Sequence, residues 1–171
     1  MRIKSTNLNG VKLILPEVFE DHRGQYVEIY NKDLFIENGI KVNFIQDDIS
    51  ISSNKVLRGI HSDNTSWKLV SCLRGRFYLV VVNCDEESEG FGSWVSFTLS
   101  DLNKSQVLIP PKHGVAHLAL SDEIIFHYKQ SENYDRARQS TYKFNDTRFN
   151  IWWPVSDPIL SMRDEIGEYV D

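Results

Sequence analysis

The sequence predicts an all-β chain, an antiparallel sandwich or barrel, on three observations. Short runs rich in β-branched and aromatic residues recur along most of its length. Clusters of Gly, Pro, Asp and Asn punctuate them at turn-like intervals. Helical patterning is confined to one short segment.

In chain order, residues 11–16, 24–30 and 41–52 read as strands, followed by 68–73, 76–83 and 93–99, and then by 105–109, 115–120 and 123–129. Turns fall at Asp21-His22-Arg23-Gly24, Arg74-Gly75, Glu89-Gly90 and Pro110-Pro111. The helix spans residues 32–38, with Asn31 as its N-cap and Gly39 near its end. A barrel of about eight or more strands can hold one small ligand in its mouth, so function is expected there.

With 171 residues, 41% hydrophobic and 12% aromatic, the chain can bury a core and reads as a single domain over 1–171. The 19 basic residues are scattered among 24 acidic ones, which excludes a nucleic-acid partner. The most apolar run, FYLVVV at 77–82, is six residues long, against roughly 20 for a membrane-spanning helix. No signal-type stretch follows the N-terminus, so the cytoplasm is the expected compartment. Cys72 and Cys84 lie in strand-like segments and are expected as buried free thiols.

Of the five histidines, His61 stands out in Val56-Leu57-Arg58-Gly59-Ile60-His61. On a strand, Arg58 and Ile60 would face one way and Gly59 and His61 the other, with Gly59 leaving room beside the imidazole for a ligand. His113 and His117 have an i, i+4 spacing, but the flanking Pro110-Pro111 and Gly114 favour a strand on which 113, 115 and 117 share a face. The His-x-His pair of metal-binding barrels is missing after His61, and no metal is expected. Glycine-rich phosphate loops are absent, which excludes Rossmann and P-loop cofactor binding.

Nine segments, in order, resemble the dTDP-4-dehydrorhamnose 3,5-epimerase family. They begin with Phe19-Glu20-Asp21-His22-Arg23-Gly24-Gln25-Tyr26-Val27-Glu28, then Gln46-Asp47-Asp48-Ile49-Ser50, Leu57-Arg58-Gly59-Ile60-His61 and Lys68-Leu69-Val70. The stretch from Gly75 through Ser88 to Trp94 follows, then Leu120-Ser121-Asp122, Tyr128-Lys129, Ile151-Trp152-Trp153-Pro154 and Asp157 to Asp164. The resemblance implies a cupin-type, jelly-roll β-barrel with a few short helices, acting as a homodimer on a nucleotide sugar without metal or organic cofactor.

Carried over by position, it implies that His61 is the general base, oriented and made more basic by Asp164. Tyr128 resembles the acid on the opposite face, and Lys68 the lysine beside the sugar carbonyl. Arg23, Glu28, Gln46, Asp48 and Arg58 match nucleotide- and phosphate-binding positions; Arg163 replaces a lysine. Arg23 and Glu28 would reach the site from the neighbouring subunit, where Tyr26 could stack on the base. The residue types suit the chemistry. A hydrogen on carbon beside a ketone needs a base of near-neutral pKa, about 6.5 for histidine, and a cation for the enolate oxygen.

Two departures stand out. In an ungapped alignment the family's A-H-G histidine falls on Val115 and an aspartate on Leu79, with His113 and His117 flanking as candidate substrate contacts. The form R-G-I-H-x-D-x-x-x-W-K-L-V resembles a branch acting on GDP-linked 6-deoxy-4-keto-heptoses for capsule synthesis, which is the favoured substrate class. A dTDP-linked hexose 3,5-epimerase is the alternative, and a 3,4-ketoisomerase, a non-catalytic sugar-nucleotide-binding barrel and a metal-dependent cupin oxygenase are the rivals.

Overall fold

The computed structural model describes residues 1–167. Thirteen strands dominate it: β1 (Arg2–Ser5), β2 (Lys12–Leu15), β3 (Val18–Asp21), β4 (Gly24–Val27), β5 (Gln46–Ser53), β6 (Leu57–Asp63), β7 (Lys68–Arg74), β8 (Arg76–Asn83), β9 (Trp94–Ser100), β10 (Gln106–Ile109), β11 (His113–Ala119), β12 (Glu123–Gln130) and β13 (Gln139–Thr141). The α-helices are short, α1 (Lys32–Glu37) and α2 (Met162–Ile166). No described helix is long and apolar enough to cross a membrane.

A six-stranded sheet, ordered β1-β2-β10-β7-β12-β5, faces a five-stranded one, ordered β13-β6-β11-β8-β9. All their ladders are antiparallel. Val70, Cys72, Ile124 and Phe126 of the first sheet pack with Phe77, Leu79, Val81 and Val115 of the second. This is the expected cupin-like, nearly all-β architecture.

Both sheets are also covered outside. Residues around α1 pack Phe35 and Ile40 with Ile14, Leu69 and Leu108 on the six-stranded sheet. Phe144, Phe149, Ile151 and Trp153 cover Ile60, Val80, Val82 and Leu118 on the other. Double coverage explains why 77–82 reads as an unbroken apolar run: every one of those side chains is buried.

Capping explains both helices. Asn31 accepts from the Asp33 and Leu34 amides, and the chain leaves α1 near Gly39 at φ +80°. Ser161 caps α2 by accepting from the Asp164 amide, and Gly167 ends it in the left-handed conformation. The signal for α2 was Ser161 three residues before Asp164, with Gly167 beyond.

Several boundaries depart from the expectation. Residues 41–44 form no strand, although Val42 and Phe44 alternate; they pack on the Leu69 cluster without joining a ladder. The strands β1, β3 and β13 were not anticipated, while β6 carries the Arg58–His61 stretch read as strand. Cys72 and Cys84 are free and buried, and burial pushes both thiols up to about 12.

Candidate active site

Between the two sheets lies a cavity of about 290 Å³. His61 on β6 enters it from the five-stranded sheet, while Lys68 on β7 and Tyr128 on β12 enter from the six-stranded sheet. Helix α2 closes one side with Arg163 and Asp164.

His61 is held by a short hydrogen bond, its Nε2 donating to Asp164 Oδ1 at 2.6 Å. Asp164 is 2% exposed, and its other oxygen accepts from Ser161 Oγ at 2.8 Å. Burial raises the Asp164 carboxyl, but bonds from His61, Ser161 and the Gly59 amide bring it below its ordinary value. With Nε2–H donated, the lone pair of the neutral ring lies on Nδ1.

Asp164 raises the basicity of His61, as expected, but the net shift is downward. Burial lowers the His61 pKa, and the cations of Arg163 and Lys68 add to that, outweighing the opposing pull of Asp164. The ring is therefore neutral at pH 7, the form able to accept a proton.

Lys68 is buried, and desolvation, with Arg163 nearby, lowers it to about 8 while Asp63 opposes. Tyr128 is pushed up to about 12 by burial and then by Asp48 and Tyr134, which keeps its phenol protonated. Arg58 lines the cavity and donates from Nε to Ser52 Oγ at 3.0 Å. Arg163 donates from Nε to Thr141 Oγ1 at 2.8 Å.

The alternation expected for β6 fails, because Arg58 and His61 both line the cavity. The ladder between β6 and β11 shifts register between Val115 and His117, and Gly59 takes φ +116°. Gly59 also leaves no room for a ligand. A Cβ there would strike the Val115 carbonyl and come within 2.7 Å of the Ala116 Cα. Its smallness serves strand-to-strand approach.

His117 and His113, expected together, separate. His117 is 5% exposed and lines the cavity, its ring stacked on Phe126 at 3.9 Å with Leu79 directly across on β8. Burial, Arg58 and His61 push it down to about 3, and its Nε2 has no hydrogen-bond partner among the described residues. His113 is not a cavity residue; its Nδ1–H donates to the Pro111 carbonyl at 3.0 Å, where the chain enters β11. Val115 contributes an apolar wall.

Gln46 and Asp48 lie beside the cavity wall instead of on it. Both Gln46 Nε2 and Gln130 Nε2 donate to Asp48 Oδ2 at 2.8 Å, and Gln46 Oε1 accepts from the Tyr134 amide. They brace two wall residues, Gln130 and Tyr134. Arg23 and Glu28 are remote from this chain's own cavity: Arg23 pairs with Asp21 at 2.7 Å on the β3–β4 hairpin, and Glu28 is exposed just after it.

Sequence reasoning missed Ser50, Phe126, Gln130, Tyr134, Gln139 and Ser161 on the wall. Phe126 and Gln130 were recoverable, since they share a face with Tyr128 on one strand. Ser50 follows likewise from Asp48. Gln139 sits on a three-residue strand with no pattern to announce it.

The description dTDP-4-dehydrorhamnose 3,5-epimerase belongs to a family model that matches residues 5–171. The chain belongs to this family. A dTDP-4-dehydrorhamnose 3,5-epimerase from Methanothermobacter thermautotrophicus is 39% identical over 168 residues, covering 95% of this chain and 91% of the relative. The crystal structure of the family's enzyme from Elizabethkingia anophelis superposes with a TM-score of 0.90 at 38% identity, over 98% of this chain and 95% of that one. A 3,5-epimerase from Legionella pneumophila, solved with dTDP-4-keto-L-rhamnose, gives a TM-score of 0.92 at 33% identity, over 98% and 91%. Family membership makes the chain an isomerase-class enzyme and gives the cavity its candidate role as an active site.

Proposed function

We propose that the chain inverts C3, C5 or both on a dTDP-linked 6-deoxy-4-keto hexose, the substrate class in its relatives' names. The observation that carries this reading is the placement of His61 and Tyr128 on opposing sheets across one cavity. Neutral His61 takes the hydrogen beside the C4 ketone, and Asp164 stabilises the resulting imidazolium. The cation of Lys68 supports the negative charge that builds on the C4 oxygen. Tyr128, held protonated, returns a proton from the opposite side and so inverts the carbon. Arg58 and Arg163 supply positive charge for the diphosphate.

The functional unit under this reading is a homodimer. The β3–β4 hairpin pairs only with itself in the sheet topology, and it exposes Phe19 at 56% and Tyr26 at 68%. Such aromatic surface fits a second copy of the chain, over whose cavity Arg23 and Glu28 would reach.

A GDP-linked 6-deoxy-4-keto heptose, favoured by the sequence motif, takes second place because the relatives above are named for dTDP sugars. Its support is the apolar cross-strand neighbourhood of Leu79 and Val115 around His117, where the family pattern has polar residues.

Incubation with each sugar nucleotide in heavy water, read by NMR and mass spectrometry, tests both. Deuterium at C3 and C5 of the dTDP-hexose identifies a double epimerase, and deuterium at one carbon a single epimerase. Incorporation into the GDP-heptose alone reverses the ranking. A carbonyl moved to C3 would identify a ketoisomerase, and no incorporation into either would leave a binding barrel.

A further inference from the structure

Asp63 ends β6, and Lys68 begins β7. The turn between them is folded onto the Asp63 carboxylate. Oδ1 accepts from the Thr65 amide at 2.8 Å, from Thr65 Oγ1 at 3.1 Å and from the Ser66 amide at 2.9 Å. Oδ2 accepts from Gln139 Nε2 at 2.6 Å, across the ladder that pairs Asp63 with Gln139. The residue is 2% exposed. A buried carboxylate is costly unless its oxygens are satisfied, and here four donors satisfy them.

Two of the elements so tied deliver wall residues, Lys68 and Gln139. The donors are asymmetric. One Nε2 hydrogen of Gln139 goes to Asp63, which fixes the orientation of the amide, and its Oε1, which can only accept, matches a sugar hydroxyl.

We propose that Asp63 is a positioning residue of this site, clamping Gln139 so that its amide oxygen is presented to a substrate hydroxyl and fixing the place of the Lys68 ammonium. The inference rests on the epimerase reading above. Its charge also matters. Lys68 shares the cavity with His61 on β6, Arg163 and Asp164 on α2, His117 on β11 and Tyr128 on β12. Burial and Arg163 favour the neutral amine, while the charge of Asp63 favours the ammonium. Asp63 itself stays ionised: burial raises it, but the bonds from the Thr65 and Ser66 amides and from Thr65 Oγ1, with the charge of Lys68, bring it lower.

An Asp63→Asn variant keeps an acceptor for the turn amides but loses the charge, and its new amide turns a donor toward Gln139. The expected result is a fall in the alkaline limb of kcat/KM by about half a pH unit or more, with a raised KM. Titration of Lys68 in 15N-lysine-labelled protein should show the same displacement without any turnover. Gln139→Leu should raise KM about fivefold, the worth of one hydrogen bond, with kcat within about twofold and the limb unmoved. Asp63→Glu, keeping the charge, should restore the limb. A folded Asp63→Asn protein in which Lys68 titrates as in wild type, or a Gln139→Leu protein of unchanged KM, overturns the proposal. Should Asp63→Asn not fold, Gln139→Leu still decides. If wild-type protein turns over no sugar nucleotide, the epimerase reading has failed, and the Lys68 titration still decides whether Asp63 governs that charge.

Discussion

His61 and Tyr128 meet the same cavity from different sheets, one from β6 in the five-stranded sheet and one from β12 in the six-stranded sheet. A sugar ring lying between the sheets would have one group above it and the other below. Sheet packing therefore supplies a separation of proton acceptor and donor that neighbouring residues on one strand could not.

Replacing His61 by Ala removes the only group in that pair that is unprotonated at neutral pH. The expected loss is about 10² to 10⁴ in kcat, with deuterium incorporation falling in parallel at each carbon. Mass spectrometry of product formed in heavy water checks it. Full activity would refute the base assignment.

Tyr128→Phe keeps the ring that packs against Phe126 at 5.4 Å and deletes only the phenol proton. Proton abstraction should continue while inversion slows, so substrate recovered from heavy water should carry deuterium ahead of product. Equal loss of exchange and inversion would contradict the division of labour.

Activity should follow a bell in pH. His61 works unprotonated, and burial lowers its pKa below the ordinary 6.5, so kcat/KM rises on the acid side below that value. Lys68 works protonated, so kcat/KM falls as pH climbs through about 8. Because both limbs report groups of the free enzyme, they belong in kcat/KM, measured from pH 4 to 10.

Gly59→Ala should destabilise the fold by about 2–4 kcal/mol, combining a positive φ with a collision against the β11 backbone. Urea unfolding followed by tryptophan fluorescence measures the loss. An alanine tolerated within about 0.5 kcal/mol would mean that β6 and β11 separate easily.

The proposed dimer makes an arithmetic prediction. Arg23→Ala and His61→Ala proteins, each inactive, should complement when unfolded together and refolded at equal concentration. Random pairing gives half heterodimers, each with one intact site, so about a quarter of wild-type activity should return. No recovery would place Arg23 and His61 of one chain in the same site, or remove Arg23 from it.

What the sequence disclosed was largely local. The α1 boundaries followed from Asn31 and Gly39, and β8 from its own apolar run. The His61–Asp164 pair, separated by 103 residues, was legible only through the family resemblance, since nothing in spacing links β6 to α2. Long-range packing defeated the rest. The space attributed to Gly59 is filled by a neighbouring strand. His113 and His117 obey the same alternation, yet only the latter reaches the cavity, because the Pro111 carbonyl holds the former at the strand's start. Residues 41–44 alternate like a strand because one side packs half-buried on the Leu69 cluster, whether or not the backbone pairs.

The double covering of β8 has a cost during synthesis. Residues 77–82 carry no charge and no proline, and they are rich in β-forming side chains, the composition of a self-associating segment. In the finished protein Phe144, Ile151 and Trp153 lie over part of that strand. On the ribosome, those three emerge some 60 or more residues after it, several seconds later at about 5–20 residues per second. For that interval the growing chain presents a sticky strand with its outer face bare, so yield in cells should depend on temperature and chaperone supply more steeply than the purified protein's melting would suggest.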